Sequence, residues 1–150
     1  MKIVVIDGQG GRLGRMLVEL IRDSFADARI YGIGTNSIAT ANMLKGGCDF
    51  GASGENPVIR NVTDADAVLG PVGIIAAHAM LGEVTPAMAE AVGGCRAPKY
   101  LIPVNSCGIT VAGTRGMQLN TLAAQLVQQM AADLNGGNGK SPVRYLDHDT

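Results

Sequence analysis

The first fourteen residues, MKIVVIDGQGGRLG, constrain the fold of this chain more than any other segment. The apolar run Lys2–Asp7 is rich in β-branched residues, which is typical of a buried parallel strand. Four glycines lie within residues 8–14, and an amphipathic helix pattern covers residues 13–23. In this order, the backbone N–H groups of the turn and the positive end of the helix dipole face one point. The segment therefore predicts a site for an anionic group such as a phosphate.

The glycines follow the spacing G-x-x-G-x-x-G, because Leu13 stands where the common dinucleotide fingerprint has its third glycine. A tight strand-to-helix turn without a ligand is the alternative interpretation. Coenzyme A or another ADP-containing ligand is also open. We predict that Gly11→Val abolishes nucleotide binding and leaves the protein folded. The residues expected to contact the phosphate are Gly8, Gln9, Gly10, Gly11, Arg12, Leu13 and Gly14.

The stretch GQGGRLGR at residues 8–15 resembles the nucleotide loop of dihydrodipicolinate reductases. In that family the loop holds the pyrophosphate of a nicotinamide cofactor with the help of its arginine. The resemblance does not extend to that family's catalytic domain. The whole chain is also similar to a small bacterial family of unknown function with a Rossmann-like fold. That second resemblance carries no activity and rests on DGQGG, GTNSIATANMLKGG, GASGEN and PVNSCGITVAG.

Alternating strand and helix patterns predict a Rossmann-like three-layer α/β/α fold with a parallel sheet in the order 3-2-1-4-5. We expect one such domain over residues 1–135 and a flexible tail over residues 136–150. Residues 48–56 are predicted as a loop and residues 63–69 as one or two turns. Asn36 or Ser37 is expected to cap the second helix, and Thr85 with Pro86 to start a later one. The other predicted strands are 28–34, 57–61, 72–77 and 100–104, with a short one at 109–112, and the longest helix is 117–134.

In such a fold, ligands bind beyond the carboxyl ends of the strands. This rule brings together residues 7–14, 34–37, 76–80 and 105–108. An acidic residue about 20 positions after the loop usually binds the ribose of NAD. Thr35, Asn36 and Ser37 stand there instead, which favours NADP over NAD, although simple helix capping is the alternative. Ala77 and Asn105 complete the residues expected to contact the cofactor.

His78 and Cys107 are the candidate catalytic residues, a proton donor and a nucleophile or redox group, since both follow strands that end at this crevice. The alternatives are a surface histidine and a small buried residue. Glu83 is a further candidate without a defined role. No short pair of metal ligands is present, so no metal is expected.

Three functional hypotheses follow. The first is a nucleotide-binding module that acts as a sensor or partner subunit. The second is an NAD(P)-dependent oxidoreductase whose substrate site is completed at the interface of a homo-oligomer, such as a dimer. The third is a structural or assembly protein without a ligand.

Composition narrows the partners. The net charge is −1 and the chain has no Trp and only two Phe, which argues against a nucleic-acid surface. No apolar run approaches the ~20 residues of a membrane span. Three cysteines without a C-x-x-C pair are typical of a reducing cytoplasm, which is the predicted location.

Overall fold

The computed structural model of the chain describes residues 1–104 and 108–136. These residues form one parallel sheet in the order β3-β2-β1-β4-β5, which confirms the predicted fold class and strand order. The strands are β1 Lys2–Asp7, β2 Arg29–Gly34, β3 Phe50–Ser53, β4 Ala67–Pro71 and β5 Lys99–Ile102. The helices are α1 Arg12–Ser24, α2 Ser37–Gly46, α3 Glu55–Val62, α4 Pro86–Gly94 and α5 Leu119–Asn135, with a 3₁₀ turn at Val72–Ile75.

The central strand β1 divides the core into two layers. Ile3 and Val5 face the layer that contains α1 and α5, while Val4 and Ile6 face the layer that contains α3 and α4. Since both faces of β1 are covered, all six of its residues are buried. From β1 the chain adds β2 and β3 on one side of the sheet and then β4 and β5 on the other side. The strand order therefore reverses at β1, and a crevice opens beyond the carboxyl end of this strand.

The strand order is correct, but two of the strands come from other residues than predicted. Residues 57–61, predicted as the third strand, lie in α3, and β3 is formed inside the predicted loop 48–56. Pro57 is the third residue of α3, where a missing N–H costs nothing. The proline therefore stands at a helix start, and the apolar residues behind it were wrongly interpreted as a strand.

The fourth strand is displaced as well. Residues 72–77 were predicted as a buried strand, whereas β4 is Ala67–Pro71 and the 3₁₀ turn Val72–Ile75 follows it. The apolar run continues from residue 67 to residue 77, so periodicity alone does not mark where the strand ends. Residues 63–69, predicted as turns, thus contain the start of β4. Residues 109–112 form no strand in the part of the chain that is described.

Other predicted features are found in the structure. Asn36 caps α2 by accepting the N–H of Ala39, and Thr85 caps α4 by accepting the N–H of Met88. Strand β5 lies at the sheet edge and is followed by Pro103, which has no N–H to donate to a neighbouring strand. Among the described helices, none combines the length and the apolar character that crossing a membrane requires. The predicted flexible tail lies, apart from Gly136, outside the described residues.

Candidate functional site at the glycine-rich loop

A buried carboxylate at the end of β1 binds both ends of the glycine-rich loop (residues 8–14). Asp7 ends β1 and is 5% exposed. Its Oδ1 accepts the N–H of Gly8 at 2.8 Å, and its Oδ2 accepts the N–H of Gly14 at 2.6 Å. Gly14 lies in the first turn of α1, so Asp7 supplies a negative group to that helix end.

The pKa of Asp7 reflects opposing effects. Burial raises it, the hydrogen bonds from Gly14 and Gly8 lower it, and the charge of Glu83 raises it further, with a net rise. The sequence pattern predicted no role for Asp7 itself. Its place directly between the buried strand and the glycines was the available signal.

A second carboxylate reaches the loop from the connection between β4 and α4. Oε1 of Glu83 accepts the N–H of Gln9 at 2.9 Å, the hydroxyl of Thr35 at 2.7 Å and the Nδ2 amide of Asn36 at 2.7 Å. Burial opposes ionisation of Glu83, but these three donors outweigh it and lower its pKa. No acidic residue follows β2 directly in the sequence, but the fold brings the carboxylate of Glu83 to the end of this strand. This removes the premise on which NADP was favoured over NAD.

Helix α2 fixes the carbonyl groups of the loop. Nδ2 of Asn36 donates to the carbonyl of Gln9 at 2.9 Å, and Nδ2 of Asn42 donates to the carbonyl of Gly10 at 2.9 Å. The carbonyl and the following N–H of a trans peptide point in opposite directions. The N–H of Gly10 therefore points away from α2.

Gly11 and Gly10 have different surroundings. Gly11 has a φ of 73°, and a Cβ there would lie 2.6 Å from Cα of Ala39 on α2. Gly11 is therefore required by the packing of α1 on α2 and by its left-handed backbone. This contact argues against the prediction that Gly11→Val leaves the protein folded. A Cβ at Gly10 would meet no atom within 4 Å.

On the side of the loop away from α2 lies a cavity of about 350 Å³. The N–H groups of Gly10, Arg12 and Leu13 have no acceptor among the described residues, which leaves three donors free at the start of α1. Arg12 is exposed and forms no ion pair within the described part of the chain. Apart from residues 7–13, the cavity is lined by the largely apolar set Met16, Pro71, Met80, Val104 and Leu119.

The structure brings most of the predicted phosphate-binding residues together. Gly8, Gln9, Gly10, Gly11, Arg12 and Leu13 line the cavity, and Gly14 is held beneath them by Asp7. Thr35 and Asn36 lie against Glu83. Whether these residues contact a ligand stays a prediction.

Thr35, Asn36 and three other predicted residues do not line this cavity. Ser37, Ala77 and His78 are exposed and do not line it. For Ala77 and His78 the reason is that β4 ends at Pro71, not at residue 77. Asn105 and Cys107 lie outside the described residues. No cluster of three His, Cys, Asp or Glu side chains suited to a metal ion occurs within residues 1–104 and 108–136.

The sequence pattern did not predict the apolar part of the cavity lining. Met16 lies within the predicted helix 13–23, and Val104 ends the predicted strand 100–104. Pro71 was not expected at the end of a strand, because the fourth strand was predicted to begin at residue 72. Periodicity shows that such residues are covered, but it does not tell whether they face a neighbouring helix or a cavity.

Residues 2–135 match the model of a family described as a domain of unknown function (DUF3842). No curated protein matches the chain. Among solved structures, the fold is similar to the crystal structure of a dodecameric FMN-dependent UbiX-like decarboxylase from Escherichia coli O157:H7, with a TM-score of 0.51. The two sequences are 14% identical, and the match covers 97% of this chain and 99% of that one. A likeness at this identity shows a shared fold.

Proposed function

The chain belongs to this family of unknown function, and we propose that it binds a phosphate-bearing nucleotide at the glycine-rich loop. The observation that carries the proposal is the set of three free N–H groups, on Gly10, Arg12 and Leu13, at the edge of the cavity. Free N–H groups at a helix start bind phosphate well, and Arg12, which forms no ion pair among the described residues, adds a positive charge beside them.

The lining of the cavity supports a ligand with a flat ring. Beyond the loop its surface is formed by Met16, Pro71, Met80, Val104 and Leu119. A cavity of about 350 Å³ is within the usual size of a ligand site, about 300–1,000 Å³. Apolar walls with a few polar groups at one end are typical of cofactor sites.

Two cofactors fit this description. A nicotinamide dinucleotide, NAD or NADP, would place its pyrophosphate on the loop, its nicotinamide in the cavity and its adenosine near Glu83. FMN would place its phosphate on the loop and its ring in the cavity. FMN is supported by the fold shared with an FMN-dependent protein. Both ligands need the same N–H groups, so each is expected to displace the other.

The experiment is thermal unfolding and calorimetric titration of the full chain with FMN, NADH, NADPH, AMP and coenzyme A. A ligand at one hundred times its dissociation constant adds about 2.7 kcal/mol of stability. We expect Arg12→Ala to weaken binding about tenfold, the loss of one charge-assisted contact. The matched control is Arg29→Ala, an exposed arginine at the other end of the sheet. No shift with any ligand, or equal losses in both variants, would overturn the proposal.

We propose a binding or sensing role within a homo-oligomer. Leu81 is fully exposed and Ile38 is 69% exposed, and such side chains favour burial by another molecule. Light scattering on the purified protein measures the oligomeric state. An oxidoreductase is the second candidate, favoured only by the crevice at the β1/β4 switch point. Consumption of NADH with a substrate panel would distinguish it.

A further inference from the structure

We infer that Glu83 makes the site select an adenosine nucleotide whose ribose 2′-hydroxyl is free, and reject one that carries a 2′-phosphate. This inference rests on the proposed function, because it assumes that the phosphate next to the ribose is held by the glycine-rich loop. It specifies the ligand class as NAD-like, not NADP-like.

The first argument is the use of hydrogen-bond donors. The hydroxyl of Thr35 and the amide of Asn36 are two of the donors at the end of β2 that a 2′-phosphate would use. Both donate to Oε1 of Glu83, at 2.7 Å each, and the N–H of Gln9 donates to the same oxygen at 2.9 Å. A phosphate at this point would have to displace the carboxylate from all three donors.

The second argument is the remaining capacity of the carboxylate. Each carboxylate oxygen accepts about two hydrogen bonds. Oε2 of Glu83 has no donor within the described residues, whereas Oε1 has three. A ribose hydroxyl supplies a donor to such an oxygen, while a phosphate supplies only further acceptors and a charge of the same sign. The same carboxylate thus attracts the free hydroxyl and repels its phosphorylated form.

The third argument is the way in which the chain holds Glu83 in place. The N–H of Glu83 donates to the carbonyl of Met80, and the N–H of Val84 donates to the carbonyl of Ala79, both at 3.2 Å. Met80 and Leu81 have positive φ values of 58° and 57°. A turn with two non-glycine residues in the left-handed region is strained, and such strain is retained where the surroundings fix the conformation. Here the turn carries the acid that dinucleotide-binding folds usually place at the end of the second strand.

The experiment compares ligand pairs that differ only in the 2′-phosphate: AMP against adenosine 2′,5′-bisphosphate, and NADH against NADPH. Calorimetry on the wild-type chain is expected to give at least about tenfold weaker binding of the phosphorylated member of each pair. In Glu83→Gln, the two members are expected to bind within about threefold of each other. Glu90→Gln, which neutralises an exposed glutamate on α4, is the control and should keep the wild-type ratio.

The outcomes separate this inference from the proposed function. If the wild-type chain binds both members equally, or prefers the 2′-phosphate, the inference is wrong and the nucleotide site stands. Binding of FMN with no binding of either adenosine pair has the same meaning. If no nucleotide binds, both are overturned. The wild-type comparison needs no variant. The inference can therefore be overturned even if Glu83→Gln does not fold.

Discussion

The two sides of the glycine-rich loop differ in how many of their backbone N–H and carbonyl groups form hydrogen bonds within the chain. On the side of α2, Asn36 and Asn42 take up the carbonyls of Gln9 and Gly10, and Glu83 takes up the N–H of Gln9. On the other side, Gly10, Arg12 and Leu13 line a cavity, and their N–H groups have no acceptor among the described residues. On one side the backbone groups are bonded within the chain, and on the other side they are the donors that the proposed phosphate would use.

The comparison changes the meaning of the glycines themselves. A glycine-rich turn suggests that every glycine allows a phosphate to approach the backbone. Here Gly11 allows α2 to approach, since its missing Cβ leaves room for the backbone of Ala39. Gly10 is the glycine that leaves the backbone open towards solvent and cavity. Variants on the two sides should therefore fail in different ways.

The largest effect is expected on the packed side. Gly11→Ala places a Cβ 2.6 Å from Cα of Ala39 and forces alanine into a φ of 73°. Overpacking and left-handed strain together should destabilise the fold by about 2–4 kcal/mol. Chemical denaturation of the purified variant measures this. A loss below about 0.5 kcal/mol would mean that α1 and α2 are not held as closely as the structure shows.

The open side should lose binding and keep its stability. Gly10→Val adds a side chain where no atom lies within 4 Å, so we expect an unchanged midpoint of unfolding. The added methyl groups stand beside the free N–H groups and should weaken nucleotide binding at least about tenfold, or 1.4 kcal/mol. Gly93→Val is the matched control, because that exposed helical glycine also has an empty surrounding. Normal affinity in Gly10→Val would place the ligand elsewhere.

The contribution of Asp7 to the stability of the fold should depend on pH. Burial raises the pKa of Asp7 above its ordinary value of 3.8, so the folded chain binds a proton at this carboxyl more tightly than the unfolded chain does. The stability that this protonation contributes is fully present below about pH 3.8 and is lost as the pH rises through the folded pKa. Asp7→Asn lacks this titration and replaces one acceptor by an NH₂ group.

We therefore expect Asp7→Asn to be less stable than the wild type by about 1–3 kcal/mol at about pH 3.5, with a smaller difference at neutral pH. Urea unfolding of both proteins across this range measures the difference. Because all other groups are shared, their titration largely cancels. A difference that grows towards neutral pH would show that the pKa of Asp7 is lowered in the folded state.

The smallest effect is expected at the outer contact with α2. Asn42→Ala removes the exposed hydrogen bond to the carbonyl of Gly10, which should cost about 0.5–1 kcal/mol. Amide hydrogen exchange should become faster at Gly11, whose N–H donates to the carbonyl of Gly8, while the amide of Gly10 should keep its rate. Gln128→Ala, an exposed amide on α5, is the control and should leave both amides unchanged.

Much of the fold was predictable because it depends on local patterns. The run Lys2–Asp7, the glycines after it and the helix behind them specify β1, the loop and α1 within one residue of the predicted bounds. Caps at Asn36 and Thr85 are equally local, since a side chain bonds an N–H three residues away. The strand order follows from right-handed crossovers and holds although β3 and β4 come from other residues than expected.

The site depended on contacts between distant parts of the chain. Glu83 meets the N–H of Gln9 across 74 residues and the amide of Asn36 across 47. No sequence periodicity marks such a pair, because each partner is polar and lies in a connection. The sequence by itself determined a parallel α/β fold with a glycine-rich loop at its switch point. Only the tertiary structure decided which N–H groups of the loop stay free, because that depends on which side chains of α2 and of the β4–α4 connection contact the loop.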